Sequence, residues 1–433
     1  MEHSAVQKEK QKVMPQMKIF FDASVIAVNY DSKSSGRSGI FYCVLNLLRN
    51  ICNKTDDSGL WLFFNDFRYS RKIKEFIEQE KLNYSGIAEP VVFSDFLCNL
   101  QIKEDTLRKE NKKIRRTALN IIKHAVKLFS VKKKHYADIA FFPVDLYGAD
   151  SIRAKKKFLL LYDMMPVLFP QNYPKARWFH EIVSFMSAHV KDKSWHYFAI
   201  SENTKKDFLK HIPGLPEESI TVVPLAANEK FYPEKSMQKI SAAKEKYGIP
   251  ADKKYMLSLC SLEPRKNIIN ACKAFCAFIK KHDIKDLVFV LAGGHWDSFM
   301  PVLNKELEGM GDAAKNIMQA GYVDDQDMAA LYSGAEWFVY TSQYEGFGLP
   351  PLEAMQCGTP VITSNNSSLP EVAGDAGIMV DYDSIEQHIK AYGDYYFNED
   401  LRKQNAAKGI ERAKQFSWEK AADIILQEFR KEQ

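Results

Sequence analysis

The sequence predicts an α/β protein built from two Rossmann-like domains that face each other across a cleft, and three observations predict it. Short apolar runs, each the length of a buried parallel strand, alternate for the most part with stretches of helical periodicity. That succession occurs twice, with a polar, aperiodic break at 225–236 between the two series. The chain is also long enough: 433 residues, 46% hydrophobic and 27% charged, can bury two cores. The same composition excludes a disordered or low-complexity chain.

Residues 1–17 are polar and lack the apolar core of a secretory signal, so a disordered N-terminal tail and a cytoplasmic location are expected. The first domain is placed at 18–226. It opens with a β-rich run at 18–27, a loop punctuated by Gly36 and Gly39, and a helical stripe of Ile40, Val44, Leu47, Leu48 and Ile51. Strands are then expected at 60–64, 90–93, 139–142, 157–162, 197–201 and 220–224. The second domain, 227–416, supplies strands at 255–261, 287–294, 317–323, 336–342, 360–364 and 376–381. A last helix, 417–433, begins with Ser417 as N-cap and carries Ala421, Ile424, Ile425 and Phe429 on one face.

Several functions are excluded. The longest apolar stretches, 158–162 and 287–292, fall well short of the ~20 residues that span a bilayer. The seven cysteines form no C-x-x-C pair and no Cys/His cluster at zinc spacing, so neither a disulfide framework nor a structural zinc is expected. Net charge is +5, and 103–135 holds twelve Lys and Arg against three acidic residues, so the positive charge sits in that one segment. No nucleic-acid module accompanies it. Leu107, Ile114, Ala118, Ile121, Ile122, Ala125, Leu128 and Phe129 make one stripe along it. Such a basic helix either lies on an anionic inner-leaflet surface or packs its stripe on the domain as a solvated insertion, and both readings stay open.

Open α/β sheets bind ligands outside the carboxyl ends of their strands, which places the site between the domains. The richest segment is 341–377. There a buried strand runs into a loop with Gly346 and Gly348, and Pro350 and Pro351 sit in the first turn of the helix that follows. Unpaired amides and the helix dipole make such a turn an anion site. Glu345 and Glu353, eight apart, bracket it, and carboxylates beside a phosphate need other partners, which sugar and ribose hydroxyls supply. In SLCSLEPRKNI, 258–268, Arg265 and Lys266 lie at a strand-to-helix turn, where two cations could neutralise a diphosphate leaving group.

EPRKN at 263–267, AGG at 292–294, GYVDDQDMAALYSGAEWFVYTS at 321–342 and EGFGLPPLEAMQCGTPVITSNNSSLPEVAGDAG at 345–377 together resemble the C-terminal half of a family-four, retaining GT-B glycosyltransferase. The E-x7-E hallmark is Glu345 and Glu353. The likeness is specific over 197–433 and looser over 18–170. It implies a nucleotide-sugar donor in the second domain, a glycan or glycolipid acceptor in the first, and a terminal helix that crosses back onto the first. It further implies that Arg265 and Lys266 grip the donor diphosphate, that Glu353 holds the ribose, that Glu345 sits by the transferred sugar, and that the amides of Gly346, Phe347, Gly348 and Leu349 contact sugar and phosphate. Tyr322 and Val323 fall where the base lies. Gly36, Arg37, Ser38 and Gly39 resemble the glycine loop that approaches the donor, and Asp163 in YDMMPVLFP falls at the cleft.

Two positions depart from the pattern. Many relatives have His where this chain has Tyr162, so no catalytic histidine is assigned there, and others have Gly-Thr or Gly-Arg where this chain has Cys260 and Ser261. The likeness implies transfer with retention through a front-face reaction, with GDP-mannose as the suggested donor and surface polysaccharide or glycolipid as the product. No metal or other cofactor is expected, because side chains supply the cations and the acidic clusters 323–325 and 380–383 read as turns. A GT-B isomerase or phosphorylase shares the architecture, but no cofactor-lysine pocket or free-phosphate signature is present. A catalytically silent binding subunit is disfavoured by the intact Glu345, Glu353, Arg265 and Lys266.

Overall fold

The computed structural model describes residues 17–29, 39–55, 59–64, 66–89, 133–147, 149–173, 176–294 and 297–432, with single positions at 103, 119 and 122. The N-terminal tail to residue 16, Gly36 to Ser38, the 90–93 run and nearly all of the basic segment therefore lie outside the described residues.

Two parallel sheets form. The first contains β1 (Ile19–Asp22), β2 (Leu60–Phe63), β3 (Gly86–Ala88), β4 (His135–Phe142), β5 (Ile152–Leu161), β6 (Trp195–Ala199) and β7 (Ile220–Val222), in the order β3-β2-β1-β4-β5-β6-β7. The second contains β8 (Lys254–Leu259), β9 (Leu287–Ala292), β10 (Ile317–Gly321), β11 (Trp337–Tyr340), β12 (Val361–Ser364) and β13 (Gly377–Val380), in the order β10-β9-β8-β11-β12-β13. The strands read as nearly continuous apolar runs because helices cover both faces; every residue of β1, β9 and β11 is buried. In each sheet the strand order reverses once, between β1 and β4 and between β8 and β11, and those two reversals open the crevices where ligands bind.

One strand expectation needs correction. The run 18–27 is strand only to Asp22; Ser24 donates through both its amide (2.9 Å) and its hydroxyl (2.5 Å) to the Asp22 carboxylate, and Ser24–Asn29 is helical. The 90–93 run lies outside the described residues, and the structure adds a strand the sequence did not announce, Gly86–Ala88. It was hidden because it is three residues long and begins with a glycine that lies flat on the Trp61 ring, where a Cβ would meet the indole at 2.7 Å.

The break at 225–236 is not a loose tether. Leu225, Ala226, Ala227 and Phe231 are buried, and the Gln356 side-chain amide donates to the carbonyls of Asn228 (3.0 Å) and Phe231 (2.7 Å). The last helix, Trp418–Arg430, is capped by Ser417, which accepts from the Lys420 amide. Its Phe429 packs on Phe141, Phe158 and Phe198 of the first sheet at ring-centroid distances of 5.9, 4.7 and 6.3 Å. Ala421, Ile425 and Phe429 are buried there, whereas Ile424 is only half-buried. No helix among the described residues is long and apolar enough to cross a membrane.

Candidate active site

The carboxyl ends of β8 and β11 build the charged side of the site. After β8 the chain makes a single tight turn, Pro264–Lys266, that ends on Asn267 with φ of 58°. Left-handed backbone suits asparagine better than most residues, and its side-chain amide ties the turn down by donating to the carbonyls of Thr341 (3.1 Å) and Tyr382. The turn aims Arg265 and Lys266 inward, 5% and 8% exposed.

There the two cations meet Glu345. Glu345 Oε1 lies 2.6 Å from Arg265 Nη1 and 2.7 Å from Lys266 Nζ. Arg265 Nη2 also pairs with Glu263 at 2.7 Å, its Nη1 donates to the Tyr344 carbonyl at 2.6 Å, and Lys266 donates to the Tyr340 hydroxyl. Burial alone would raise the Glu345 carboxyl, but Arg265 and Lys266 overcome it and hold the group at about 2. Burial likewise opposes the charge on Arg265, and Glu345 and Glu263 outweigh it and keep the guanidinium charged. Sequence placed the cations against a diphosphate and Glu345 against sugar hydroxyls; the structure shows the three side chains paired with one another. Arg265 Nε remains buried without a protein partner.

The loop after β11 supplies the amides. Its glycine at 346 is needed for space: a Cβ there would sit 2.5 Å from the Tyr162 carbonyl oxygen and 2.8 Å from Asp163 Cβ, both in the first domain. The Gly346 carbonyl accepts from Ser201 Oγ (2.7 Å) and Thr204 Oγ1 (3.1 Å), also in the first domain. Gly348 has φ of 132° and precedes the helix Leu349–Gln356, whose first turn contains Pro350 and Pro351. Proline has no N–H, so Pro350 and Pro351 offer no amide, and the donors at this helix start are those of Leu349 and the loop before it.

A cleft of about 570 Å³ between the domains is lined by Gly39, Asp163, Arg265, Lys266, Glu345, Gly346, Phe347, Gly348, Leu349 and Glu353. Asp163 follows β5, accepts the Met165 amide at 3.0 Å, and is pushed up to about 6, chiefly by burial. Glu353 accepts from the Tyr332 hydroxyl at 3.1 Å, and burial pushes it up to about 7 against the opposing effects of that bond and of Lys230. Gly39 and Glu353 also line an adjoining pocket of about 300 Å³ together with Tyr322, Lys230 and Asp325. Val323 does not present its side chain there: it is 1% exposed in the core, so only its backbone is available to a base.

Sequence reasoning missed Glu263, Tyr340, Lys230 and Asp325. Glu263 was readable, two residues before Arg265. Lys230 was set aside in the polar break and Asp325 in an acidic turn; the fold brings them together at 3.1 Å, with the Tyr42 hydroxyl donating to the same carboxylate. The described cysteines, including Cys260 in the cleft wall, are buried, and burial raises the Cys260 thiol to about 11, which removes it as a nucleophile.

Comparison with known proteins bears on the fold and the family. Residues 239–412 match the family described as glycosyl transferases group 1. The chain is 33% identical over 273 residues to the O-antigen chain mannosyltransferase B of Escherichia coli, covering 62% of this chain and 68% of that protein. It is 26% identical over 279 residues to the serotype-specific mannosyltransferase WbdA of Escherichia coli, spanning 63% of this chain but only 33% of that longer protein. The crystal structure of Anabaena HepE in complex with UDP and glucose superposes with a TM-score of 0.65 at 14% identity, over 96% of this chain and all of that one. The two-domain arrangement is thus the GT-B fold.

Proposed function

This chain belongs to the group 1 glycosyl transferases, and from that premise we propose that it moves a hexose from GDP-mannose to a saccharide or lipid-linked glycan in surface polysaccharide synthesis. The observation that carries the reading is the pair Arg265 and Lys266, buried at the reversal of the second sheet and facing Glu345, the glycine loop and the first domain across one cleft. A mannosyl donor is favoured because the two Escherichia coli relatives described above, one of them 33% identical, are named mannosyltransferases. A guanine base is favoured by Asp325 in the pocket next to Glu353, since a carboxylate accepts from the ring N–H and amino group that guanine presents side by side.

In the reaction we propose, the bond from the anomeric carbon to the diphosphate breaks while Arg265, Lys266, Arg265 Nε and the loop amides take up the charge on the leaving oxygen. The acceptor hydroxyl attacks from the same face, its proton passes to the departing phosphate, and the configuration is retained. Glu345 positions the transferred sugar, Asp163 orients the acceptor or sugar hydroxyls, and Glu353 holds the ribose. The two side-chain cations supply what a divalent metal would supply elsewhere, so transfer proceeds without one. The segment 103–135, nearly all of it outside the described residues, would hold the enzyme at an inner membrane face if the acceptor is lipid-linked.

The test is an assay of purified protein against UDP-, GDP-, dTDP- and ADP-sugars with EDTA present. Release of GDP from GDP-mannose supports the reading. Epimerised donor would point to an isomerase instead, and no turnover with any donor would overturn it.

A further inference from the structure

A second cavity opens off the cleft into the first domain, and nothing in the donor chemistry uses it. It encloses about 170 Å³ between the end of β5 and the helices Arg177–Ala188 and Glu202–His211. Its three polar residues, Tyr162, Asp163 and Tyr173, also line the cleft, so they stand at its mouth. Beyond them every described residue of the wall is apolar, with Ala176, Phe179, Ile182 and Phe208 forming the far side.

This wall selects its occupant. A sugar pushed inside would bury hydroxyls that find no partner, each a loss of about 1–3 kcal/mol, so a saccharide is repelled. Hydrocarbon is favoured, and an apolar cavity of about 150 Å³ is large enough for benzene, so this one takes on the order of six carbon atoms. Continuity fixes the direction of entry: a chain lying in the cavity emerges beside Asp163, where an acceptor hydroxyl must meet the donor sugar.

We propose that the acceptor is a glycolipid whose alkyl or acyl chain begins close to the reacting sugar, and that the cavity behind Asp163 takes the first carbons of that chain. The inference rests on the glycosyltransferase reading and narrows its acceptor from any saccharide to one bearing hydrocarbon. Asp163 and Tyr173 at the mouth mark where sugar ends and chain begins.

The experiment titrates full-length protein, saturated with GDP, with α-mannosides carrying n-alkyl chains of one to ten carbons, each below its micelle concentration, by calorimetry. Affinity should rise about three- to fourfold per methylene and level off near six carbons, the cavity's capacity. Ala176→Phe fills the cavity and should flatten the series. Phe179→Leu enlarges it and should move the plateau to longer chains, which keeps the test informative should Ala176→Phe not fold. Affinity independent of chain length in the wild type, or an undiminished slope in folded Ala176→Phe, would overturn the proposal. GDP release from GDP-mannose onto water is measured alongside in each protein. Its loss in the wild type would count against the donor reading alone, and its persistence in Ala176→Phe shows that the substitution acts on the acceptor.

Discussion

Glu345→Gln is the most informative single change, because under the proposed function a donor diphosphate would compete with Glu345 for Arg265 and Lys266. Its Oε1 receives N–H groups from Arg265 at 2.6 Å and Lys266 at 2.7 Å, all three side chains at most 10% exposed. Removing the negative charge leaves both cations buried and, among the described residues, only Arg265 with a carboxylate, Glu263, still within salt-bridge distance. Breaking a buried pair costs about 3–5 kcal/mol, and a change of that size lowers the melting temperature by roughly 10 °C in a domain of this length. An arriving nucleoside diphosphate restores the missing charge and no longer competes with a carboxylate. Hydrogen bonds to charged groups are worth about 1.5–3 kcal/mol, so losing the competitor should tighten GDP about 10- to 100-fold even while sugar transfer falls. Calorimetry with GDP and melting curves with and without it read both effects. The pH dependence has a fixed sign. The Glu345 carboxyl is depressed from 4.5 to about 2, so its stabilisation is full above 4.5 and is lost as pH falls through about 2; wild type and variant should converge toward that limit. GDP affinity that is unchanged or weaker in Glu345→Gln refutes the competition.

Lys266→Ala should lower kcat by about 100-fold or more with little change in donor affinity, as expected of a group whose charge matters most when the leaving oxygen forms. Glu353→Ala should show the opposite split in steady-state kinetics, with donor affinity weakened about tenfold, the loss of roughly one hydrogen bond to a charged group. Equal kinetics in both variants and the wild type would remove the site assignment. Glu353 is raised from 4.5 to about 7, so its carboxyl favours the fold below 4.5 and that contribution is lost as pH rises through about 7; Glu353→Gln should therefore gain melting temperature relative to wild type between pH 5 and 8. Gly346→Ala should reduce transfer by on the order of 100-fold, since the added carbon meets the Tyr162 carbonyl at 2.5 Å; full activity would show that the domains need not approach this closely.

What the sequence made legible follows from the range of the forces involved. Buried parallel strands announce themselves through continuous apolar runs, so β9 and β11 could be read directly, whereas β3 could not because its one recognisable feature is a contact with Trp61 twenty-five residues away. The cations and carboxylates of the candidate donor site were visible because a short motif holds each of them: Arg265 and Lys266 in one turn, Glu345 and Glu353 around one helix start. Their pairing was not visible. It depends on β8 and β11 lying side by side, a fact of topology that no local window contains. Asp325 and Lys230 stayed hidden for the same reason, each ordinary in its own segment and meaningful only once they meet.

The same loop that would handle the donor also carries the contacts between domains, and that coincidence has a mechanistic consequence. Ser201 and Thr204 of the first domain hold the Gly346 carbonyl, the Tyr344 hydroxyl donates to Asp207 at 2.7 Å, and the Tyr173 hydroxyl donates to Glu263 at 3.3 Å. Glu371 accepts the amides of Glu202 and Asn203 at 2.8 and 2.7 Å, a carboxylate from one domain capping a helix of the other. Residues 344–346 therefore cannot shift to admit a diphosphate without altering bonds to the first domain. Donor affinity and domain spacing are linked in this way by hydrogen bonds on the same three residues, and a weakened clasp should register as weaker donor discrimination before it registers as instability. Glu371 is the place to separate the two, because it touches no wall of the cleft and yet ties the domains together.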